Sequence, residues 1–193
     1  SLIRDNPVEW LGESVAGRFG GKLPFLFKFL AAGQPLSIQA HPSLEQAKEG
    51  FSRENQQGIS LSAPNRNYKD SNHKPEIICA LSEFWGLNGF RPVPQILELM
   101  EEAQLDVLSP ERQALADQSN SDGLRLFYRS IMEMEDKRLQ QLLEQLSKAA
   151  TTNAGMRPEY DWITRISEIY PGDSGVLCIL MLNLVKLSPG EAM

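Results

Sequence analysis

The ten residues LPFLFKFLAA (23–32) are apolar on both faces of any regular element, with Lys28 as the one charge among them. A run this short and this apolar predicts a strand buried inside a sheet. A charge held there needs an opposite partner or an anionic ligand, unless its stem lies in the core and its ammonium reaches water. After the turn at Gly33-Gln34 comes PLSIQAHP (35–42), where Ser37, Gln39 and His41 alternate with Leu36, Ile38 and Ala40. In extended backbone this places every hydrogen-bonding or metal-ligating group on one face and every apolar group on the other. The short turn makes the two strands neighbours.

A third strand is expected over residues 75–90, PEIICALSEFWGLNGF, broken near Ser82-Glu83 and Gly86. Helices interrupt this β character twice. Pro7 after Asp5-Asn6 starts one, with Val8, Leu11, Val15 and Phe19 as its stripe and Gly20-Gly21 as its stop. Ser43 with Gln46 three residues on is a capping-box pattern opening a short helix through Leu44, Ala47 and Phe51. Residues 56–72 are polar and loop-like. The first ninety residues thus read as mainly β.

After RPVP (91–94) the period changes to that of helices. Ile96, Leu97, Met100 and Ala103 mark one apolar stripe; Leu124, Phe127, Ile131 and Met134 another; Leu139, Leu142, Leu143 and Leu146 a third. SPER at Ser109 and MRPEYDWITRISEIY (156–170) add two more helices, and all these stripes are expected to face a core. DSGVLCILMLNLVKL (173–187) begins as a helix capped near Asp173 or Ser174 and ends as a strand, with SPG as a turn. The resulting class is α+β, with strands, a helical block and a return to β.

At 193 residues the chain can build a substantial core. Its formal net charge of −6 excludes a general nucleic-acid binder, whose affinity rests on clustered Lys and Arg, so an anionic partner must be small and met locally. No run is long and apolar enough for a membrane span and no secretory h-region is visible, which predicts a cytoplasmic protein. Cys79 and Cys178 sit in apolar contexts and are expected to be buried, reduced thiols. Nucleotide-binding glycine loops, a nucleophile elbow and C-x-x-C are absent from the sequence.

The candidate chemistry centres on the two histidines, His41 and His73. Gln39 and His41 would lie roughly 7 Å apart on one strand face, twice the rise per residue. Glu76, at the start of the third strand, is the best further donor. An imidazole, a carboxylate and an amide oxygen suit zinc, with manganese, iron or cobalt as substitutes; the plainer reading is a polar sheet face. Positive charge gathers nearby, with Lys28 on the adjacent strand, Lys74 two residues before Glu76, and Arg66, Lys69 and His73 in the preceding loop. This charge fits either an anion site or a solvated loop.

LPFLFKFLAAGQPLSIQAHPS, NYKDSNHKPEIICAL and FWGLNGFRP closely resemble the type I mannose-6-phosphate isomerases, and the likeness continues through ISEIYPGDSGVLCILMLNLVKLSPGEAM. The Q-x-H and N-H-K-P-E elements are its specific parts. The resemblance implies a partial cupin-type β-sandwich (jelly roll) with a large all-helical inserted domain: residues 1–90 in the catalytic domain, 91–183 in the insert, 184–193 returning to the sheet. It implies interconversion of mannose 6-phosphate and fructose 6-phosphate through an enediol, with zinc held by Gln39, His41 and Glu76. It also implies Lys74 in proton transfer or substrate contact, with Lys28 and Ser37 lining the sugar-phosphate pocket. His73 is an alternative base.

The family's fourth metal ligand and an active-site arginine would follow the final GEAM, and its first β segments would precede Ser1. An internal fragment of a longer, monomeric enzyme is therefore expected, its partner a small phosphorylated sugar rather than nucleic acid or membrane. Competing readings are a non-catalytic cupin-like sugar-binding or regulatory module and a helical interaction domain; exposed apolar stripes after Arg91 would favour the latter.

Overall fold

Pro7 opens the first long helix as the sequence requires, because its missing N–H costs nothing at a helix start. The computed structural model describes residues 2–193 and divides into two units, Ser1–Leu36 and Ser37–Met193. The first unit holds α1 (Leu2–Asp5) and α2 (Pro7–Arg18). Gly12, at φ 76°, breaks the helical path of α2, a conformation open to glycine because it lacks a Cβ.

Residues 23–32 are not a strand and are not buried. Phe25, Leu26, Phe27 and Phe29 are 66 to 80% exposed, and Lys28 is exposed with them. The alternation is nonetheless visible locally, since the Phe27 and Phe29 rings meet edge to face at 5.8 Å. What is missing is a neighbour. A strand exists only through a hydrogen-bonded partner, and among the described residues the one sheet has two strands, neither from this stretch. The same holds for residues 35–42, which form no strand.

In the second unit, α3 (Leu44–Gln56) follows directly. The strand expected over 75–90 is realised as β1 (Phe84–Phe90), passing unbroken through Gly86. Upstream of it, Ile78 exchanges two backbone hydrogen bonds of 3.0 Å with Met193, and Ala80 bonds to Glu191 and Gly190. The interruption falls at residues 81–83, as the sequence suggests. The expectation of a mainly β first ninety residues fails, because three helices lie there beside β1. Cys79 is exposed rather than buried: on this short ribbon alternate residues face opposite ways, and Ala80 takes the inward position at 3% exposure.

The helical block follows its stripes. It comprises α4 (Val93–Glu102), α5 (Ser109–Asp117), α6 (Ser121–Met132), α7 (Asp136–Thr152), α8 (Pro158–Ile169) and the short α9 (Cys178–Met181), leading into β2 (Leu182–Leu187). Ile96, Met100, Phe127, Ile131, Leu142, Leu146, Tyr160 and Ile163 form one core with Cys178. Burial pushes the Cys178 thiol up to about 11, so it is an inert core group. With the stripes buried, the helical-interaction-domain reading loses its support.

The return to β begins at Leu182, and β2 pairs antiparallel with β1, Trp85 opposite Lys186 and Leu87 opposite Leu184. This ribbon is braced to the bundle. The Arg91 guanidinium lies 2.6 Å from Glu159, both side chains 12% exposed, and the Arg91 amide donates to the Met181 carbonyl. Trp85 contacts Trp162 at 5.9 Å, with Lys186 over the former ring and Arg165 over the latter.

Past α4 the chain turns through Gln104 at φ 50°, a left-handed conformation that costs an L-residue about 1–2 kcal/mol. Glycine relieves this but is freer in the unfolded chain. We expect Gln104→Gly to raise the unfolding free energy by up to about 1 kcal/mol in urea titration, whereas Gln104→Val should lower it.

Candidate metal centre

Ser43 fixes the exit of the Q-x-H segment. Its hydroxyl accepts from the Gln46 amide at 3.3 Å while the Gln46 side chain accepts from the Ser43 amide at 2.8 Å. This reciprocal cap sets where α3 begins, and His41 lies two residues before it. The far end of α3 controls the other half of the site. Glu54 in its last turn pairs with Arg66 at 3.0 Å, their side chains 6% and 0% exposed. Arg66 also donates to the carbonyls of Tyr68 (2.6 Å) and Ile59 (2.7 Å) and to Asn55 Oδ1 (2.8 Å). Glu54 accepts from the Tyr68 amide at 2.9 Å and from both nitrogens of Asn67 at 3.3 Å.

The polar loop is thereby folded back along α3. Its fit is close: a Cβ on Gly50 would meet the Tyr68 ring at 2.5 Å, so this helical position excludes any side chain. Arg66 was a candidate for an anion site from sequence. The structure corrects this, because its guanidinium is fully engaged by Glu54 and three other acceptors.

Beyond the loop, His73 comes within electrostatic range of Glu45 in the first turn of α3. Three residues later Glu76 Oε1 stands 3.2 Å from His41 Nε2. The two side chains, 35 positions apart in sequence, share one place, His41 30% and Glu76 69% exposed. Glu76 is steadied from its other side by the Ile78–Met193 pairing.

This separation is chemically specific. A tetrahedral zinc ion with bonds of about 2.0–2.2 Å to nitrogen and oxygen holds those two donors roughly 3.3 Å apart. The imidazole and carboxylate are therefore already at chelating distance and fit the metal expected from sequence. Gln39, two residues before His41, is exposed, and among the described residues its side chain makes no hydrogen bond or ion pair. Among the described residues no cluster of three or more His, Cys, Asp and Glu is present. Ser37 and Lys74 are exposed and free of polar partners among the described residues, Lys74 two positions before Glu76. Lys28 belongs to the first unit and is exposed, which corrects its expected place inside a buried strand.

The sequence reading missed Glu54 as the residue that seats the loop. Its signal was weak, an acid at the end of a polar helix with a single arginine twelve residues on. Burial alone pushes its carboxyl up. The Tyr68 and Asn67 amides, the Asn67 side chain and the Arg66 charge outweigh this and hold it below 4.5. A carboxyl depressed in the folded state stabilises the fold above the ordinary carboxylate value, and that contribution is lost as pH falls through the folded value. Urea titrations between about pH 5 and pH 3 should show stability declining more steeply in the native chain than in Glu54→Gln; equal slopes would remove Glu54 from the acid response.

Comparison with known proteins bears on the same residues. The family model for the phosphomannose isomerase type I catalytic domain matches residues 1–93, and that for the type I helical insertion domain matches residues 98–182. The mannose-6-phosphate isomerase of Salmonella typhimurium is 42% identical over 194 residues, spanning 99% of this chain and 48% of that protein. The human mannose-6-phosphate isomerase is 36% identical over 202 residues, 95% of this chain and 44% of its own length. Among solved structures, the Salmonella typhimurium enzyme bound to fructose 6-phosphate and zinc superposes with a TM-score of 0.87 at 40% identity, covering all of this chain and 49% of that one. A zinc-bound holo form of mannose 6-phosphate isomerase gives 0.87 at 41%, covering all of this chain and 48% of that one. The chain spans about half the length of the relatives it matches. With two models of one family accounting for nearly all of its residues, the chain belongs to the type I phosphomannose isomerases.

Proposed function

We propose that this chain supplies the Q-x-H and H-K-P-E half of a metal centre that interconverts mannose 6-phosphate and fructose 6-phosphate. The observation that carries this reading is the His41–Glu76 approach at 3.2 Å, a chelating separation built from the two segments that distinguish the family in sequence. His41, Glu76 and Gln39 would hold zinc, with the remaining donors supplied from outside these residues. When bound, zinc would act as a Lewis acid, stabilising charge that develops on the sugar oxygens.

The chain's own residues then divide the work. To Lys74, exposed and two positions before Glu76, we assign the proton transfer from C2 to C1, the pair of transfers that passes through an enediol. Ser37 and Lys28 are assigned to the sugar-phosphate. We place these residues in a cupin-type β-sandwich, with residues 1–90 and 184–193 in the sandwich and 91–183 as the helical insert. The two family matches, which part between residues 93 and 98, support that division. Among the described residues no helix is long and apolar enough to cross a membrane, which accords with a cytoplasmic enzyme. Its partner is a small phosphorylated sugar and it acts as a monomer, with no role for nucleic acid.

In the full-length protein, His41→Ala should abolish zinc retention, measured by elemental analysis, together with isomerase turnover; full zinc content would remove His41 from the ligand set. Lys74→Met should keep its zinc while turnover falls by about 10²–10⁴-fold, the usual contribution of a general base. A near-normal rate would exclude Lys74 from proton transfer.

A further inference from the structure

The cleft between α4 and α5 holds a pair of opposite charges that do not meet. It encloses about 310 Å³ and is lined by Leu97 and Glu101 from α4 and by Ser109, Arg112, Gln113 and Ala116 from α5. The Arg112 Nε is buried and has no hydrogen-bond partner, and among the described residues its guanidinium forms no ion pair. Glu101, in the same cleft, likewise has no side-chain hydrogen bond or ion pair among the described residues. Every other buried or half-buried arginine is paired with a carboxylate: Arg66 with Glu54, Arg91 with Glu159, Arg138 with both oxygens of Glu111, and Arg157 with Glu98 and Glu102, although the Arg91 Nε, like that of Arg112, lacks a hydrogen-bond partner. A half-buried charge held without a counter-ion is costly, and an anionic ligand in the cleft supplies one.

We infer that this cleft is a binding site for a small phosphate monoester bearing hydroxyl groups. The guanidinium is a planar fork of donors matched to phosphate oxygens. Ser109 and the free part of the Gln113 amide add polar contacts, although Gln113 already donates to Asp117 at 2.8 Å. Glu101 repels the phosphate itself, so it selects a ligand whose opposite end offers O–H donors to its carboxylate. Leu97 and Ala116 provide an apolar wall for the carbon chain. The volume lies at the lower edge of small-molecule sites and suits a compact ligand. The site shares no residue with the His41–Glu76 pair and does not depend on the function proposed for it.

The test uses the full-length protein labelled with ¹⁵N, following the Arg112 Nε–H resonance, assigned through Arg112→Lys. Inorganic phosphate should shift that resonance with a dissociation constant in the millimolar range. Glycerol 3-phosphate should bind about tenfold more tightly, a difference of about 1.4 kcal/mol, and Glu101→Gln should erase the advantage while leaving the phosphate response. Glycerol alone should leave the resonance in place. The inference is overturned if neither anion moves the resonance, if other arginine resonances move equally, which would report only ionic strength, or if Glu101→Gln moves it without ligand, which would mean that the two side chains pair directly in solution.

Discussion

The geometry of the candidate centre depends first on one buried ion pair, Glu54 with Arg66. Such a pair is costly to desolvate, and its attraction offsets that cost only where the remaining donors and acceptors are also satisfied. Here they are. Arg66 reaches three acceptors besides Glu54, and Glu54 takes three N–H groups from the loop that Arg66 itself belongs to. The network encodes a path for the backbone rather than a contact between two side chains. It returns the chain from the end of α3 towards its beginning, where the His41 segment is already fixed by the Ser43 cap.

A second set of interactions fixes the other approach. Glu76 is followed by the short ladder with residues 190–193, which continues after a break into β1 and β2. The far end of that ribbon is tied to the helical block through Arg91 and Glu159 and through the tilted contact of Trp85 with Trp162. The helical block inserted between the two ribbon strands in sequence therefore does more than fill space: its core places α9 so that β2 starts opposite Phe90. The Asn183 amide, donating to the carbonyls of Asn88, Gly89 and Phe90, covers the irregularity where that register shifts.

How far this was legible in sequence follows the range of the interaction concerned. The Ser43–Gln46 cap, the Pro7 start and the helical stripes of Ile96, Phe127 and Leu142 depend on neighbours within a few residues, and each forms as read. The strands at residues 23–32 and 35–42 do not form, because alternation states which face a side chain would take but not whether another strand lies alongside. Phe27 and Phe29 show the local half of that rule surviving without the global half. The meeting of His41 and Glu76 was legible as a pair of candidate donors. The means of bringing them together was not, since a glutamate and an arginine in polar stretches look like solvated surface until the loop between them closes.

Closing that loop carries an entropic cost that has to be met before any ligand binds. Joining positions 41 and 76 restricts thirty-five residues, for which the ideal-chain expression gives about 3 kcal/mol plus a constant. Were the two donors to meet only around a cation, its binding would have to supply all of this. Instead the cap, the Glu54–Arg66 network and the Ile78–Met193 pairing act on the intervening segment independently of the donors, and leave them 3.2 Å apart with only a hydrogen-bond-length contact between them. The ordering that remains falls on exposed side chains, Gln39 and Lys74 among them, which carry little backbone cost. A site divided in this way keeps its donor affinity for ligand discrimination rather than for folding, which is the usual reason that precise chemistry is placed on loops held by rigid neighbours.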